Sequence, residues 1–308
     1  MPFLCLHGTV RLVNRDQAGR ETGFEPDGDS IHFKPKTPRL LDELPRLRLP
    51  YRLTRIGSVN LRMEGIDALE LHYSPATAGG GSTHQPRPLA DEARNALTGL
   101  LGMNPIDYVP PRDVRVDPPV RVDGVRGFIL SRSLEVHGRP VVFLFKGAAP
   151  FRDGAEAFID TPLLRKSLNH QMVTSGSSYP LFYDTLFKSL RDELARAAKA
   201  ARAARRGLWP LDKTKAGFAM PDLAGLQITT PIFPKLFRRA ADYFSAGHRG
   251  VAEFLEWLAA RARADARSDR LLEPNGNFTH LDNILRIRAG KLSMKYEPED
   301  IVFISEKT

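Results

Sequence analysis

The chain has 308 residues, 42% hydrophobic and 26% charged, which is the composition of a water-soluble globular protein long enough for two domains with real cores. Its formal net charge of +9 points mildly to a polyanionic partner, a signal diluted by the Arg- and Ala-rich composition in general. The single cysteine, Cys5, excludes an intramolecular disulfide and a cysteine-built zinc site, and no apolar run reaches transmembrane length. Residues 1–6 are too short for a signal h-region and lack a basic n-region, so the chain reads as cytoplasmic and not membrane-bound.

In chain order, residues 3–13 alternate as a first strand, and a polar stretch follows to 25. PDGDSIHF at 26–33 is a tight turn that delivers Asp29 to the start of a short strand through Ile31 and Phe33. Residues 35–50 are rich in Pro, Leu and Arg, with at most one helical turn at 40–44, and read as an insertion. Val59, Leu61 and Met63 alternate as a strand that turns Asn60 and Arg62 to its other face. A flexible loop with Gly79, Gly80 and Gly81 comes next, then a helix at 89–101 that ends at Gly102. Residues 104–123 hold five prolines and read as a second insertion. Two strands, 127–134 and 141–145, flank a turn at His137–Gly138, with Arg139 at the start of the second. Helices are expected at 163–176 and 183–206. The second carries Arg196, Lys199, Arg202 and Arg206 in a stripe that reads as a solvated face. This order of strands first and helices late predicts an α+β fold, a small closed barrel of the OB-fold kind capped by helices.

The stretch NLRMEGIDALE, residues 60–70, carries the most chemistry. A cation at Arg62 is followed by carboxylates at Asp67 and Glu70, just past a strand end. Arginine grips a phosphate bidentately, an aspartate can hold a hard cation, and a glutamate can serve as base. Taken alone, the stretch reads rather as an exposed strand end with solvated charges, Glu64 among them.

Five segments in register resemble the staphylococcal nuclease (thermonuclease) family over about residues 3 to 212. PDGDSIHF resembles its Asp-Gly-Asp-Thr strand, and LRMEGIDALE its Arg-Leu-x-Gly-Ile-Asp-x-Pro-Glu strand. PLADEARNALTGLL is similar to its first helix, HGRPVVFLF to its Tyr-Gly-Arg hairpin, and SLNHQMVTSG with the helix closing on GLW to its last two helices. The resemblance implies a five-stranded OB-fold nuclease domain at 1–212, with insertions at about 34–58 and 104–124. It implies metal ligands at Asp29, Asp67 and the carbonyl of Ala68, a general base at Glu70, and phosphate-binding arginines at Arg62 and Arg139. It implies calcium as cofactor, with magnesium or manganese as alternatives, and hydrolysis of DNA or RNA with little sequence preference that leaves a 3′-phosphate. The chain departs from the pattern at Ala68, Leu69 and Ser30. His137 stands in place of the family's Tyr, so His137 and Tyr183 become the substrate-binding residues.

Residues 213–308 show no such match and read as a smaller α+β domain. Helical spacing over 236–262 is broken near 247–250, and three short strands are expected at 284–287, 292–296 and 301–304. Fifteen Lys and Arg against twelve Asp and Glu do not mark a nucleic-acid domain, and His280 with Asp282 reads as an ordinary loop rather than a metal pair. Three functions follow: a metal-dependent nuclease, a catalytically silent nuclease-like module that binds nucleic acid or protein, or a nuclease gated by its C-terminal part, which would also receive a regulatory protein. The two insertions and the C-terminal part are the expected sites of such a gate.

Overall fold

A computed structural model describes residues 2–23, 25–45, 48–75, 81–104, 106–109, 113–115, 123–265 and 268–305. The first two residues of the glycine loop at 79–81 lie outside the described residues, and so does most of the insertion at 104–124. The chain divides into two compact units: Met1–Glu64 with Arg94–Met172 and Lys307–Thr308, and Gly65–Ala93 with Val173–Glu306. A nuclease domain at 1–212 and a C-terminal α+β domain at 213–308 stay a proposal. Among the described residues there are seven α-helices: α1 (Arg87–Leu101), α2 (Thr161–Lys166), α3 (Leu168–Ser175), α4 (Lys188–Ala203), α5 (Leu223–Thr229), α6 (Pro234–Ser245) and α7 (Phe254–Ala264). No helix among them is long and apolar enough to cross a membrane.

The first unit is built on a nearly closed six-strand sheet. Phe3–Arg11 pairs antiparallel with Val125–Leu134 on one side (Leu6↔Ile129) and with His32–Pro35 on the other (Gly8↔Pro35). Val125–Leu134 continues to Pro140–Lys146, with a bulge between Ser131 and Ser133 that sharpens the twist. Pro140–Lys146 pairs parallel with Arg62–Met63, while His32–Pro35 pairs with Val59–Asn60. One continuous stretch, 59–63, therefore forms both ends of the path. The amides of Leu61 and Met63 close the seam on the carbonyls of Ile31 and Asp29, both at 2.9 Å. Cys5, Leu6, Val10, Phe33, Leu61 and Phe143 are each fully buried, with Leu6, Val10 and Phe33 on one face of the sheet and Cys5 and Phe143 on the other. Burial pushes the Cys5 thiol up to about 12, with the nearby Asp153 charge adding to the effect.

All five expected barrel strands are present. Val59, Leu61 and Met63 are buried and Asn60 and Arg62 half-buried, as their alternation requires. Glu64 departs from expectation: it is 9% exposed rather than solvated, and its charge bears on Arg132. Asn169 of α3, which sequence reading passed over, donates to the carbonyls of Glu64 and Val142 and accepts from the Leu144 amide, all at 2.9 Å. It thereby satisfies backbone groups left at the barrel edge.

The single helix expected at 163–176 is two, α2 and α3. Ser167 takes an extended conformation, and its hydroxyl accepts from the His170 amide as a cap for the second. The helix expected from 183 begins at Lys188, because Tyr179–Pro180 is committed to an antiparallel pair with Ile66–Asp67 and the Leu181 amide to the Gly65 carbonyl.

That pair belongs to the second unit, with α4 to α7 and two three-stranded sheets. One sheet runs Phe218–Ala219, Lys291–Met294, Leu285–Arg288; the other runs Phe278–His280, Arg270–Leu272, Val302–Phe303. The expected break near 247–250 separates α6 from α7. Its core is aromatic: Tyr179 meets Trp209 edge-on at 5.1 Å and Phe233 at 5.9 Å, with Phe237, Tyr243 and Phe254 fully buried. The basic stripe of α4 is exposed at Arg196, Lys199 and Arg206, as expected, and departs from a solvated face at Arg202. Arg202 grips Glu299 with both terminal nitrogens and lies 4.2 Å over the Trp209 ring, and Lys199 reaches Asp300 at 2.9 Å.

Candidate active site

Four of the residues singled out from sequence, Asp29, Arg62, His137 and Arg139, lie in the first unit. Asp29 sits in the turn that leads into His32–Pro35, and its carbonyl receives the Met63 amide. Arg62 is the register partner of Val141, two residues beyond Arg139. Residues opposite each other share a face, and so do residues two apart on a strand, so Arg62 and Arg139 project from one side of the sheet. Their neighbours Met63 and Val142 are buried on the other side. Arg139 is steadied by Glu135, whose Oε1 accepts from its backbone N at 3.1 Å and its Nε at 3.2 Å. His137 is exposed at the tip of the same turn, its amide also donating to Glu135. The insertion at 34–58 reaches this hairpin: the Leu134 amide donates to the Pro45 carbonyl at 2.8 Å.

Asp67, Ala68, Glu70 and Tyr183 lie in the second unit. Gly65 (φ +77°) makes the turn before Ile66–Asp67, and a β-carbon there would stand 2.6 Å from Leu194. The strand pair with Tyr179–Pro180 then fixes Asp67, which is 1% exposed. Ala68 is buried beside it. Glu70 is held by its backbone, whose amide donates to Gln85 Oε1 at 3.2 Å and whose carbonyl accepts the Gln85 amide at 2.9 Å. Tyr183 packs on Phe303 with ring centres 6.2 Å apart, so in this arrangement it is a half-buried packing residue.

The decisive group is one that sequence reading did not select. Arg238 of α6 donates from Nη1 and Nη2 to both oxygens of Asp67, at 3.0 and 2.9 Å, and Nη1 also donates to Glu70 Oε1. This is the fork geometry in which guanidinium and carboxylate match best. Burial would lower the Arg238 pKa, but Asp67 and then Glu70 outweigh it and raise it well above the ordinary value, so the guanidinium is firmly charged. Further bonds tie the 65–93 segment to the same region. Tyr73 donates to Asp242 of α6 at 2.7 Å, Gln85 Nε2 to the Ile232 carbonyl at 2.7 Å, and Gln227 Nε2 to Thr83 at 2.8 Å. On the adjoining part of α6, Lys235 and Arg239 hold Asp269, whose carboxyl they keep well below the usual range against the opposing effect of burial.

A sequence signal for this existed. Lys235, Arg238, Arg239 and Asp242 fall at helical spacing, a polar stripe on an otherwise largely apolar helix of Leu, Phe, Ala and Tyr. Such a stripe is ordinarily assigned to solvent, and only its partners reveal that it is buried.

The calcium ion that the nuclease resemblance implies does not fit Asp67 as arranged here, because both carboxylate oxygens are taken by a cation already present. Among the described residues no group of three or more His, Cys, Asp or Glu side chains is placed to hold a metal ion. No family model matches the chain, and no curated protein matches it in sequence.

Proposed function

We propose that this chain is a nuclease-like module of the OB-fold kind, directed at phosphodiesters and restrained by its own Arg238. The observation that carries the reading is the Arg238 fork on Asp67 and Glu70. Those are the two carboxylates that the nuclease resemblance makes metal ligand and general base, and a base hydrogen-bonded to a charged guanidinium is a poor proton acceptor. Arg62 and Arg139, in the first unit, are the arginines to which the resemblance gives phosphate binding. Hydrolysis then requires Arg238 to leave Asp67 and Glu70. Binding of nucleic acid does not. A gate in this chain is thus a single side chain on α6, rather than a lid made from either insertion.

The test compares wild type, R238A and R238A/E70Q on plasmid and single-stranded DNA, in calcium, magnesium or chelator, with circular dichroism to confirm folding. Wild type should cleave little. R238A should cleave at least tenfold faster, and the double variant should lose the gain by a factor of roughly 10² or more. R238K, which keeps a charge but not the fork, covers the case in which R238A does not fold, and it should cleave faster than wild type. A wild type as active as a folded R238 variant overturns the restraint, and folded variants that stay inert leave the module a binder only.

A further inference from the structure

We infer that the first unit carries a second phosphate-binding surface, a basic groove at the opposite end of the barrel strands from Arg62 and Arg139, which takes the sugar-phosphate backbone of a nucleic-acid strand. Two hollows, of about 340 and 460 Å³, share Lys34 as a common wall. Arg11, Arg15 and Arg55 line the first, and Lys36 and Arg126 the second. Neither lining includes a carboxylate. Two acids bear on the edge of the first hollow: Asp123 binds Arg11, and the charge of Asp16 reaches Arg55. Lys34, Lys36, Arg126, Arg55 and Arg15 are exposed.

The strands explain the shape. Lys34 is opposite Thr9, Gly8 opposite Gly127, and Gly147 follows the end of Pro140–Lys146, so the second hollow crosses four neighbouring strands. At about 4.8 Å per strand the crossing spans roughly 15 Å, enough for several consecutive phosphates of one strand. Thr9, Lys34 and Arg126 are cross-strand partners and so share the groove face, while Gly8 and Gly127 leave room on the other face, where a β-carbon at Gly8 would meet the Lys34 carbonyl oxygen at 2.2 Å and the buried Phe33 ring. A row of cations across neighbouring strands suits a ribbon of phosphates. His7 is the one aromatic ring in either lining and its Nε2 lies 2.8 Å from the Phe151 carbonyl oxygen, so no Phe, Tyr or Trp offers a stacking platform and binding would be indifferent to sequence. Arg139 immediately precedes the strand whose far end reaches the groove, about seven residues or more than 20 Å away. The groove is therefore separate from the Arg62 and Arg139 end of the barrel, and its existence does not depend on whether the chain cleaves anything.

The test is fluorescence anisotropy of the full chain with a labelled 20-nucleotide oligo-dT, in chelator so that no turnover intrudes, at several salt concentrations. K34Q/K36Q/R126Q should bind at least tenfold more weakly at 50 mM salt, and the log–log salt slope should fall by about 2, at roughly 0.7 per lost phosphate contact. All three side chains are exposed, so the fold should tolerate the change. K188Q/R196Q/R263Q, which removes the same formal charge from exposed positions of the second unit, should bind like wild type. Equal weakening by both triples would reduce the effect to net charge and overturn the groove. So would an unchanged slope in the groove variant, or a wild type that binds heparin but not the oligonucleotide.

Discussion

At the residue scale, the barrel holds a histidine whose protonation works against the fold. His32 lies on the strand next to Phe3–Arg11, and burial lowers its pKa from 6.5 to about 4. The unfolded chain therefore binds this proton at higher pH than the folded chain does. Stability from His32 is fully present above about pH 6.5 and is lost as pH falls toward about 4, on the order of 3 kcal/mol in all. His170, also lowered by burial and by the neighbouring Arg165 charge, acts in the same direction. Urea unfolding of wild type and H32Q at pH 7.5 and 4.5 should show a smaller acid loss in the variant. Equal losses would mean that His32 does not titrate with folding. Arg238 differs in kind: it stays charged at every accessible pH, so its hold on Asp67 should respond to substitution rather than to mild acid.

At the scale of elements, α4 shows how the same residue type can be worth little or much. Its stripe was visible in sequence as four cations at spacings of three and four, but spacing reports a face and not what the face meets. The 3₁₀ turn Pro298–Asp300 meets it. Glu299 has a side-chain exposure of 0% and depends on Arg202, whereas Lys199 is 57% exposed where it meets Asp300. R202A should cost roughly 3–5 kcal/mol, because it leaves a buried carboxylate without its cation, and K199A less than about 1 kcal/mol. Thermal unfolding of the two variants checks the contrast, and similar shifts would refute it. The strands at 3–11, 59–63, 125–134 and 140–146 were legible because alternation is a local property of a sheet with one buried face. The break at Ser167 and the late start of α4 were not, since a cap and a strand pair at Tyr179–Pro180 each depend on a partner distant in sequence.

At the scale of the molecule, the second unit is not confined to the C-terminal part of the chain. It joins Gly65–Ala93 to Val173–Glu306, and its aromatic core draws on Tyr179 and Phe182 as much as on Phe233, Phe237 and Phe303. Deletion of 213–308 would strip that core, so the truncated chain should lose cooperative unfolding of this unit. Limited proteolysis should then cut 173–212 rapidly, while R238A resists. A truncated chain as protease-resistant as full length would contradict this. Truncation is accordingly a poor probe of restraint, and the point variant is the informative one.

The sequence by itself determined the barrel strands, most helices and the chemical character of Asp29, Arg62, Asp67, Glu70 and Arg139, because periodicity, turn residues and side-chain chemistry are written locally. It also drew the resemblance to a nuclease, which remains a proposal about what those residues do. Tertiary structure alone decided that Glu64 is buried, that Asn169 satisfies the barrel edge, and that Arg202 of the α4 stripe is docked on an acidic turn. It alone decided, too, that Asp67 and Glu70 face Arg238, 171 and 168 positions along the chain. An ion pair between residues so far apart leaves no trace in spacing or composition. It arises only when the fold brings separately encoded charges together in a largely buried place, where each offsets part of the other's desolvation.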